Sequence, residues 1–330
     1  MTALIRMDCL SKSYGSHRGI IDVTCDIAEG EVFGFLGPNG AGKTTTMRLL
    51  MGLLKPTSGQ VSIAELDCWK QSTAVKRLVG YLPGEYAFDP GMTGAQIIAY
   101  LGHLRGGVDR SYVNQLVARL ELDLSKRFRE YSRGNKQKIG LVQAFMHRPR
   151  LLILDEPTSG LDPLNQQEFY KMINEIRGDG HTVFLSSHIL PEVEHTCERV
   201  GIIREGKLVQ VSEVSSLKQL RQNDVEVSFA ETAEPAWFAQ LSDVLNVKAA
   251  HSANTLRLTT YGDLKEVIKA AAQHNATNIV VQEPSLEDIF LRFYAREQAT
   301  QEANSDQHEG QVPSRKTSTR EVSTSRESDM

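Results

Sequence analysis

Short, largely apolar runs stand out first along the chain, at residues 31–36, 151–154 and 182–185, the second with four apolar residues in a row. Runs this brief read as buried strands, and 151–154 as a central parallel strand covered on both faces. Residues 4–10, 20–28, 60–64, 78–82 and 200–203 read as further strands. A turn at Lys12–Ser16 separates the first two, and a hairpin at Arg204-Glu205-Gly206-Lys207 follows the last. Apolar residues at helical spacing alternate with these strands. Met47, Leu50, Met51 and Leu54 mark a helix over 44–54. Residues 94–105 and 111–122 read as helices, the second carrying Val113, Leu116, Val117 and Leu120 in one stripe. Another helix covers 139–146 and stops at Pro149, and Phe169, Met172, Ile173 and Ile176 face the core from a helix opened by Asp162-Pro163. Such stripes predict packing rather than ligand sites.

After about residue 215 the pattern changes. Strands at 225–229, 245–248, 255–259 and 278–282 bracket helices near 235–241 and 262–273. The order β-α-β-β-α-β predicts a small ferredoxin-like unit. A last helix at 285–294 carries Leu286, Ile289, Phe290 and Phe293 on one side. No catalytic constellation occurs here, and a regulatory or dimer-contacting module is expected. Residues 297–330 are rich in Ser, Thr, Glu, Gln and Arg, with almost no large apolar side chains. Such a tail cannot offset its ordering entropy and is expected to be disordered.

The chain has 330 residues and a formal charge of −4, enough for about two domains and with no basic field for nucleic acid. No apolar run is long enough for a membrane helix, and the N-terminus lacks the layout of a signal peptide. Cys9, Cys25, Cys68 and Cys197 are scattered, which predicts reduced core thiols rather than a metal site or disulfides.

Residues 37–44, Gly-Pro-Asn-Gly-Ala-Gly-Lys-Thr, carry the chemistry. They fit the phosphate-loop pattern G-x-x-x-x-G-K-[ST] and lie between a strand and a helix. Glycines let the loop through Gly37, Pro38, Asn39, Gly40, Ala41 and Gly42 curl with its backbone N–H groups (Pro38 has none) pointing inward, and the helix start adds its positive end. Lys43 supplies a charge for the β- and γ-phosphates, and the Thr44 hydroxyl suits Mg²⁺. Thr45 follows in the same turn. Asp155 and Glu156 end the buried strand at 151–154, where a nucleotide's metal would sit. Asp155 is the expected Mg²⁺-side ligand, and Glu156 is suited to accept a proton from water. His188 ends another core strand and can face the same phosphate. Ser132 is a good N-cap, and Gly134 allows close backbone approach, so a capped helix start or a second anion site is expected there. Tyr14 fits two uses, plain packing or a platform on which an adenine stacks.

From about residue 4 to 210 the chain resembles the ATP-binding subunit of ABC transporters. In that resemblance Tyr14 is the A-loop aromatic and residues 37–44 are Walker A. Tyr131–Asn135 stands at the Leu-Ser-Gly-Gly-Gln signature and keeps Ser132 and Gly134. Residues 151–156 are Walker B with its catalytic Glu, 159–162 the D-loop, and His188 the switch histidine. The family binds ATP and Mg²⁺ and dimerises head to tail, each ATP lying between one subunit's Walker A and the other's signature. Two positions depart from the pattern. Gly84 occupies the usual Gln position of the Q-loop, so that Glu85 takes over its metal role or the loop couples without that contact. Arg133 and Asn135 replace a Gly and a Gln of the signature.

The implied architecture is an α/β P-loop ATPase at 1–215 with a helical subdomain at about 85–150. An accessory α+β domain at 220–296 and the tail at 297–330 complete it. The Leu-Pro-Gly-Glu loop, the signature stretch and the added C-terminal unit resemble the ABC-2-type exporter branch, such as daunorubicin- and bacitracin-resistance ATPases. There the polytopic permease is a separate chain and the ATPase is peripheral on the cytoplasmic membrane face, as a homodimer or a paralogous heterodimer. The competing reading is a soluble ABC ATPase acting on ribosomes or nucleic acid. Translation-type members usually have two ATPase domains, and repair-type members carry a long coiled-coil insertion. Here one domain is present, and about 90 residues separate Walker A from the signature.

Overall fold

The computed structural model describes residues 2–282, apart from 16, 86, 87, 220, 221, 251, 262 and 263. The expected last helix at 285–294 and the tail lie outside the described residues. The chain opens with β1 (Ala3–Tyr14) and β2 (His17–Ala28), then β3 (Val32–Leu36) and α1 (Lys43–Leu50). Strands β4 (Ser58–Ile63) and β5 (Leu66–Asp67), helix α2 (Ser72–Leu78) and β6 (Val79–Leu82) follow. Three helices stand between β6 and the next strand: α3 (Gly94–Leu104), α4 (Arg110–Arg119) and α5 (Arg133–Phe145). The rest of this part of the chain is β7 (Leu151–Asp155), α6 (Pro163–Gly178), β8 (Thr182–Ser187), α7 (Leu190–Thr196), β9 (Arg199–Arg204) and β10 (Lys207–Glu213).

The central sheet has the order β10-β9-β3-β8-β7-β6. Pairing is parallel throughout from β9 to β6, with β10 antiparallel at one edge. Every residue of β3, β7 and β8 is buried, as central strands covered on both faces require, including the polar Asp155, Thr182, Ser186 and Ser187. Phe184 packs between Phe33, with ring centroids 5.9 Å apart, and Phe35, at 5.4 Å. The register then sets the function. Leu36 pairs with Ser187, Asp155 with Ser186, and Leu82 with Leu154. The carboxyl ends of β3, β8, β7 and β6 therefore stop side by side, and the loops leaving them share one edge.

A second, antiparallel sheet of order β2-β1-β4-β5 lies with the apolar core of Leu4, Ile5, Met7, Leu10, Val23 and Ile63. The strands run past the expected turn: Lys12 pairs with Ile20 and Ser13 with Arg18, so only the tip near residue 15 turns. The polar run did not end β1 because its side chains there are exposed or half-buried. Helices α2 and α7 were not foreseen. Helix α2 buries only Val75, and α7 buries Glu192 and Thr196 beside Leu190 and Val193, so neither shows an apolar stripe. Cys9 is exposed, which corrects the expectation of core thiols for that residue. Cys25, Cys68 and Cys197 are buried, and burial pushes each thiol up to about 12.

Helix starts follow the sequence. Asp162 accepts from the Asn165 N–H at 3.0 Å with Pro163 in the first turn, and Thr93 and Gln96 form a reciprocal cap on α3. The three-helix segment is fastened to the core by side chains. Arg105 donates to the carbonyls of Lys76 at 2.6 Å and Val79 at 3.0 Å. Arg119 of α4 reaches Glu168 at 2.5 Å and Glu175 at 2.5 Å and 2.9 Å, both on α6.

Beyond α8 (Val214–Gln219), β11 (Gln222–Phe229), α9 (Ala236–Ala239), β12 (Val244–Ala249), β13 (Thr255–Tyr261), α10 (Lys265–Gln273) and β14 (Ala276–Gln282) form a separate sheet. Its order is β12-β13-β11-β14, antiparallel throughout, as a ferredoxin-like unit requires. Alternate residues Val225, Val227, Phe229, Leu256 and Leu258 pack with Phe238, Val267 and Ala271 in their own core.

His147, after α5, gives a pH handle on this fold. Burial, with Arg105 nearby, holds it down to about 4 from 6.5. It is then neutral in the native state but charges in the unfolded chain, so its contribution is present above about 6.5 and is lost as pH falls toward about 4. The stability advantage of the parent over a His147→Gln variant, read from urea midpoints, should shrink across that window. A constant difference would contradict this.

Candidate active site

The loop between β3 and α1 turns through Gly40, at φ 79°, and Gly42, at φ 112°. The second needs glycine twice over, since a Cβ there would also lie 2.7 Å from Ile20 Cγ2. Helix α1 begins at Lys43, whose ammonium is buried. Its Nζ donates to the carbonyls of Gly37 at 2.6 Å and Pro38 at 3.1 Å and lies 3.1 Å from Glu156 Oε1. Asn39, Gly40, Gly42, Lys43, Thr44, Thr45, Gly19 and Glu156 border the cavity over this loop. Ala41 is buried behind it.

Across the shared edge, Asp155 is 1% exposed. Its Oδ1 accepts from Ser186 Oγ at 2.6 Å and its Oδ2 from Thr44 Oγ1 at 2.8 Å. A buried carboxylate needs such donors. Glu156 takes a left-handed φ of 51°, a strained choice for a non-glycine residue, and its N–H donates to Ser186 Oγ at 3.0 Å. This turn swings the Glu156 carboxylate out of the strand line. There its Oε2 meets His188 Nδ1 at 2.6 Å. Lys43, Thr44, Asp155, Glu156 and His188 thus converge, drawn from two strand ends and one helix start. Ser186 was not singled out from the sequence, although a hydroxyl inside a buried apolar strand is the signal that marks it.

Gly84 sits directly over Asp155. A Cβ at position 84 would lie 3.0 Å from Asp155 Oδ2. A side chain there would therefore crowd the carboxylate unless one of them shifts by a few tenths of an ångström. Glu85 is exposed and borders the same cleft of about 920 Å³ with Arg48, Arg133 and Lys136, but no contact joins it to Asp155. Tyr81, just before this loop, is a neutral phenol, pushed up to about 12 by burial and by the nearby Asp155 charge.

Ser132 caps α5, accepting from the Asn135 N–H at 3.3 Å. Ser132 is exposed, and neither it nor Gly134 borders the cleft. Gly134 is pressed on the turn after β7, where a Cβ would lie 2.5 Å from the Gly160 carbonyl. Arg133 donates to Ser159 Oγ at 2.8 Å, and Gln137 donates to the carbonyls of Glu156 at 3.1 Å and Pro157 at 2.9 Å. These two residues, also missed as site residues, tie the signature helix to the Glu156 turn. Tyr14 is 43% exposed at the tip of β1, with Lys12 Nζ 5.5 Å from its ring centroid. A Cβ on Gly19 would come within 3.2 Å of the Tyr14 ring, so the ring neighbours the phosphate-loop cavity.

A phosphate loop, an acidic pair at the next-but-one strand end and a parallel sheet define a P-loop nucleoside triphosphatase. Residues 20–159 match the ABC transporter family, and residues 213–294 match the C-terminal domain of DrrA1-3-like ATP-binding proteins. The bacitracin transport ATP-binding protein BcrA of Bacillus licheniformis is 33% identical over 304 residues, covering 89% of this chain and 98% of that one. A solved ATP binding subunit of an ABC transporter is 28% identical, with a TM-score of 0.60, covering 66% of this chain and 92% of that one. A bacterial ABC transporter cassette solved as a dimer shares the fold at 20% identity, with a TM-score of 0.59, covering 64% of this chain and 98% of that one. The chain belongs to the ABC transporter ATP-binding proteins. It binds ATP, and its reaction is ATP hydrolysis coupled to transport, which disfavours the ribosome- or nucleic-acid-acting reading.

The Gly84 contact generates a direct check. Gly84→Ala should lower ATPase turnover by about tenfold or more, because a small displacement of Asp155 is costly in a preorganised site. Turnover equal to the parent would show that the close approach is incidental.

Proposed function

We propose that this chain is the energising subunit of an exporter for a drug-, antibiotic- or lipid-like substrate. It would work at the cytoplasmic membrane face with a separately encoded, ABC-2-type polytopic permease. The bacitracin transport relative supports that branch, as does the DrrA-like C-terminal match. Among the described residues no helix is long and apolar enough to cross a membrane, in keeping with a separate permease. We assign residues 1–215 to the ATPase, 220–296 to an accessory domain and 297–330 to a tail. A homodimer or a paralogous heterodimer is the working form, supported by the dimeric relative, and no nucleic acid is involved.

The observation that carries the mechanism is the convergence of Lys43, Glu156 and His188 beside the Thr44–Asp155 pair. Lys43 exchanges the Gly37 and Pro38 carbonyls for the β- and γ-phosphate oxygens. The phosphate loop holds the phosphates through residues 37–45, and Tyr14 takes the adenine. Glu156 accepts the proton of the attacking water, and His188 holds the Glu156 carboxylate and the γ-phosphate side of the site. Ser132 and Gly134 of the opposing subunit close over the γ-phosphate, using the start of α5. Thr44 and Asp155 offer hard oxygens 2.8 Å apart, a donor set that fits Mg²⁺, with Glu85 at the cleft rim as a further oxygen. The ion would neutralise charge on the transferring phosphoryl group.

Glu156→Gln removes the proton acceptor while leaving the loop intact. Turnover should fall by about a hundredfold or more, with ATP still bound and a stable dimer on size-exclusion chromatography in ATP. Parent-like hydrolysis by this variant would overturn the assignment.

A further inference from the structure

Glu192 is a buried carboxylate that the mechanism above does not use. It lies on α7, is 6% exposed, and faces the core side with Leu190 and Val193. Its Oε1 accepts from Thr158 Oγ1, and its Oε2 accepts from Ser187 Oγ at 2.5 Å. No Lys or Arg pairs with it among the described residues. Burying an unpaired carboxylate is costly, and an apolar side chain would fill such a position more stably. The two hydroxyls it holds are therefore informative.

Both hydroxyls stand at the roots of catalytic loops, and both residues are buried, Thr158 at 4% and Ser187 at 0%. Thr158 follows Glu156 by one turn residue, in a loop closed by the Ser159 N–H to Glu156 carbonyl bond of 3.1 Å. Ser187 immediately precedes His188. Its carbonyl accepts from the Gly37 N–H at 3.1 Å, and its Oγ accepts from the Ile189 N–H at 2.9 Å. The contacts close a ring. At the exposed end Glu156 meets His188 at 2.6 Å, and at the buried end Glu192 joins Thr158 to Ser187. None of Thr158, Ser187 and Glu192 borders the nucleotide cleft.

We propose that Glu192 is a positioning residue for hydrolysis: by clamping Thr158 to Ser187 it fixes the separation of the Glu156 turn and the His188 loop. The clamp matters because Glu156 holds a left-handed backbone that an untied loop would relax. The proposal rests on the roles given above to Glu156 and His188.

Steady-state ATPase kinetics of the full chain, with ATP affinity measured separately by equilibrium binding, test it. Thr158→Val and Ser187→Ala each delete one hydroxyl and little volume. Each should lower kcat by about ten- to a hundredfold with ATP affinity near the parent's, although the melting temperature falls as the buried carboxylate loses one donor. Glu192→Gln, which can still accept from one hydroxyl and donate to the other, should retain most activity, whereas Glu192→Leu should not. In the Glu192→Leu background Thr158→Val should have no further effect. Parent-like kcat for both hydroxyl deletions would overturn the proposal. So would parallel losses of kcat and ATP affinity, which mark a general structural role. Glu156→Gln run alongside separates the two ideas. If it hydrolyses normally, the site assignment fails. If it is inactive while Thr158→Val and Ser187→Ala match the parent, only the Glu192 clamp fails.

Discussion

The site depends on the hydrogen bonds that hold Asp155. This carboxylate is sealed at the end of a strand buried on both faces, where an unpaired charge costs several kcal/mol. Ser186 and Thr44 each offset about 1.5–3 kcal/mol of that, and they come from different elements, β8 and α1. The carboxylate therefore binds the phosphate-loop helix to the neighbouring strand end. This is possible only because the parallel register sets Ser186 beside Asp155 and Ser187 beside Leu36. A slip of one residue would turn these side chains to the other face.

Everything nearer the reaction is built on that frame. Ser186 Oγ, already donating to Asp155, accepts from the Glu156 N–H and so supports the strained turn that aims Glu156 at Lys43 and His188. The loop after β6 comes so close to Asp155 that position 84 has no room for a side chain without displacement. The α5 start is drawn to the same turn through Gln137 and Arg133. The three-helix segment is therefore joined to the core through contacts that include the Glu156 backbone.

Much of this was legible in the sequence because the constraints are local. A glycine loop between an apolar run and a helical stripe, and two acids ending another apolar run, each identify their place in the sheet. Asp162 and Ser132 announced their helices by capping chemistry alone. The order of elements after residue 215 was enough to read the ferredoxin-like sheet. What escaped depends on contacts distant in sequence. Ser186 and Gln137 act through partners 31 and 19 residues away. Helix α7 hid its inward face because that face carries Glu192 and Thr196 among apolar residues. The Gly84 position read as a lost ligand, whereas in three dimensions it is also a tight approach, where a Cβ would crowd Asp155 Oδ2 at 3.0 Å.

The central claim is that this nucleotide site drives a membrane partner. It is tested most directly by capturing the tagged chain from native membranes in mild detergent, identifying what is bound, and measuring ATPase activity of the eluate. The account predicts a polytopic membrane protein at near one-to-one ratio with the ATPase chain, and turnover that depends on it. Recovery of ribosomal or DNA-bound proteins with no membrane partner would contradict it.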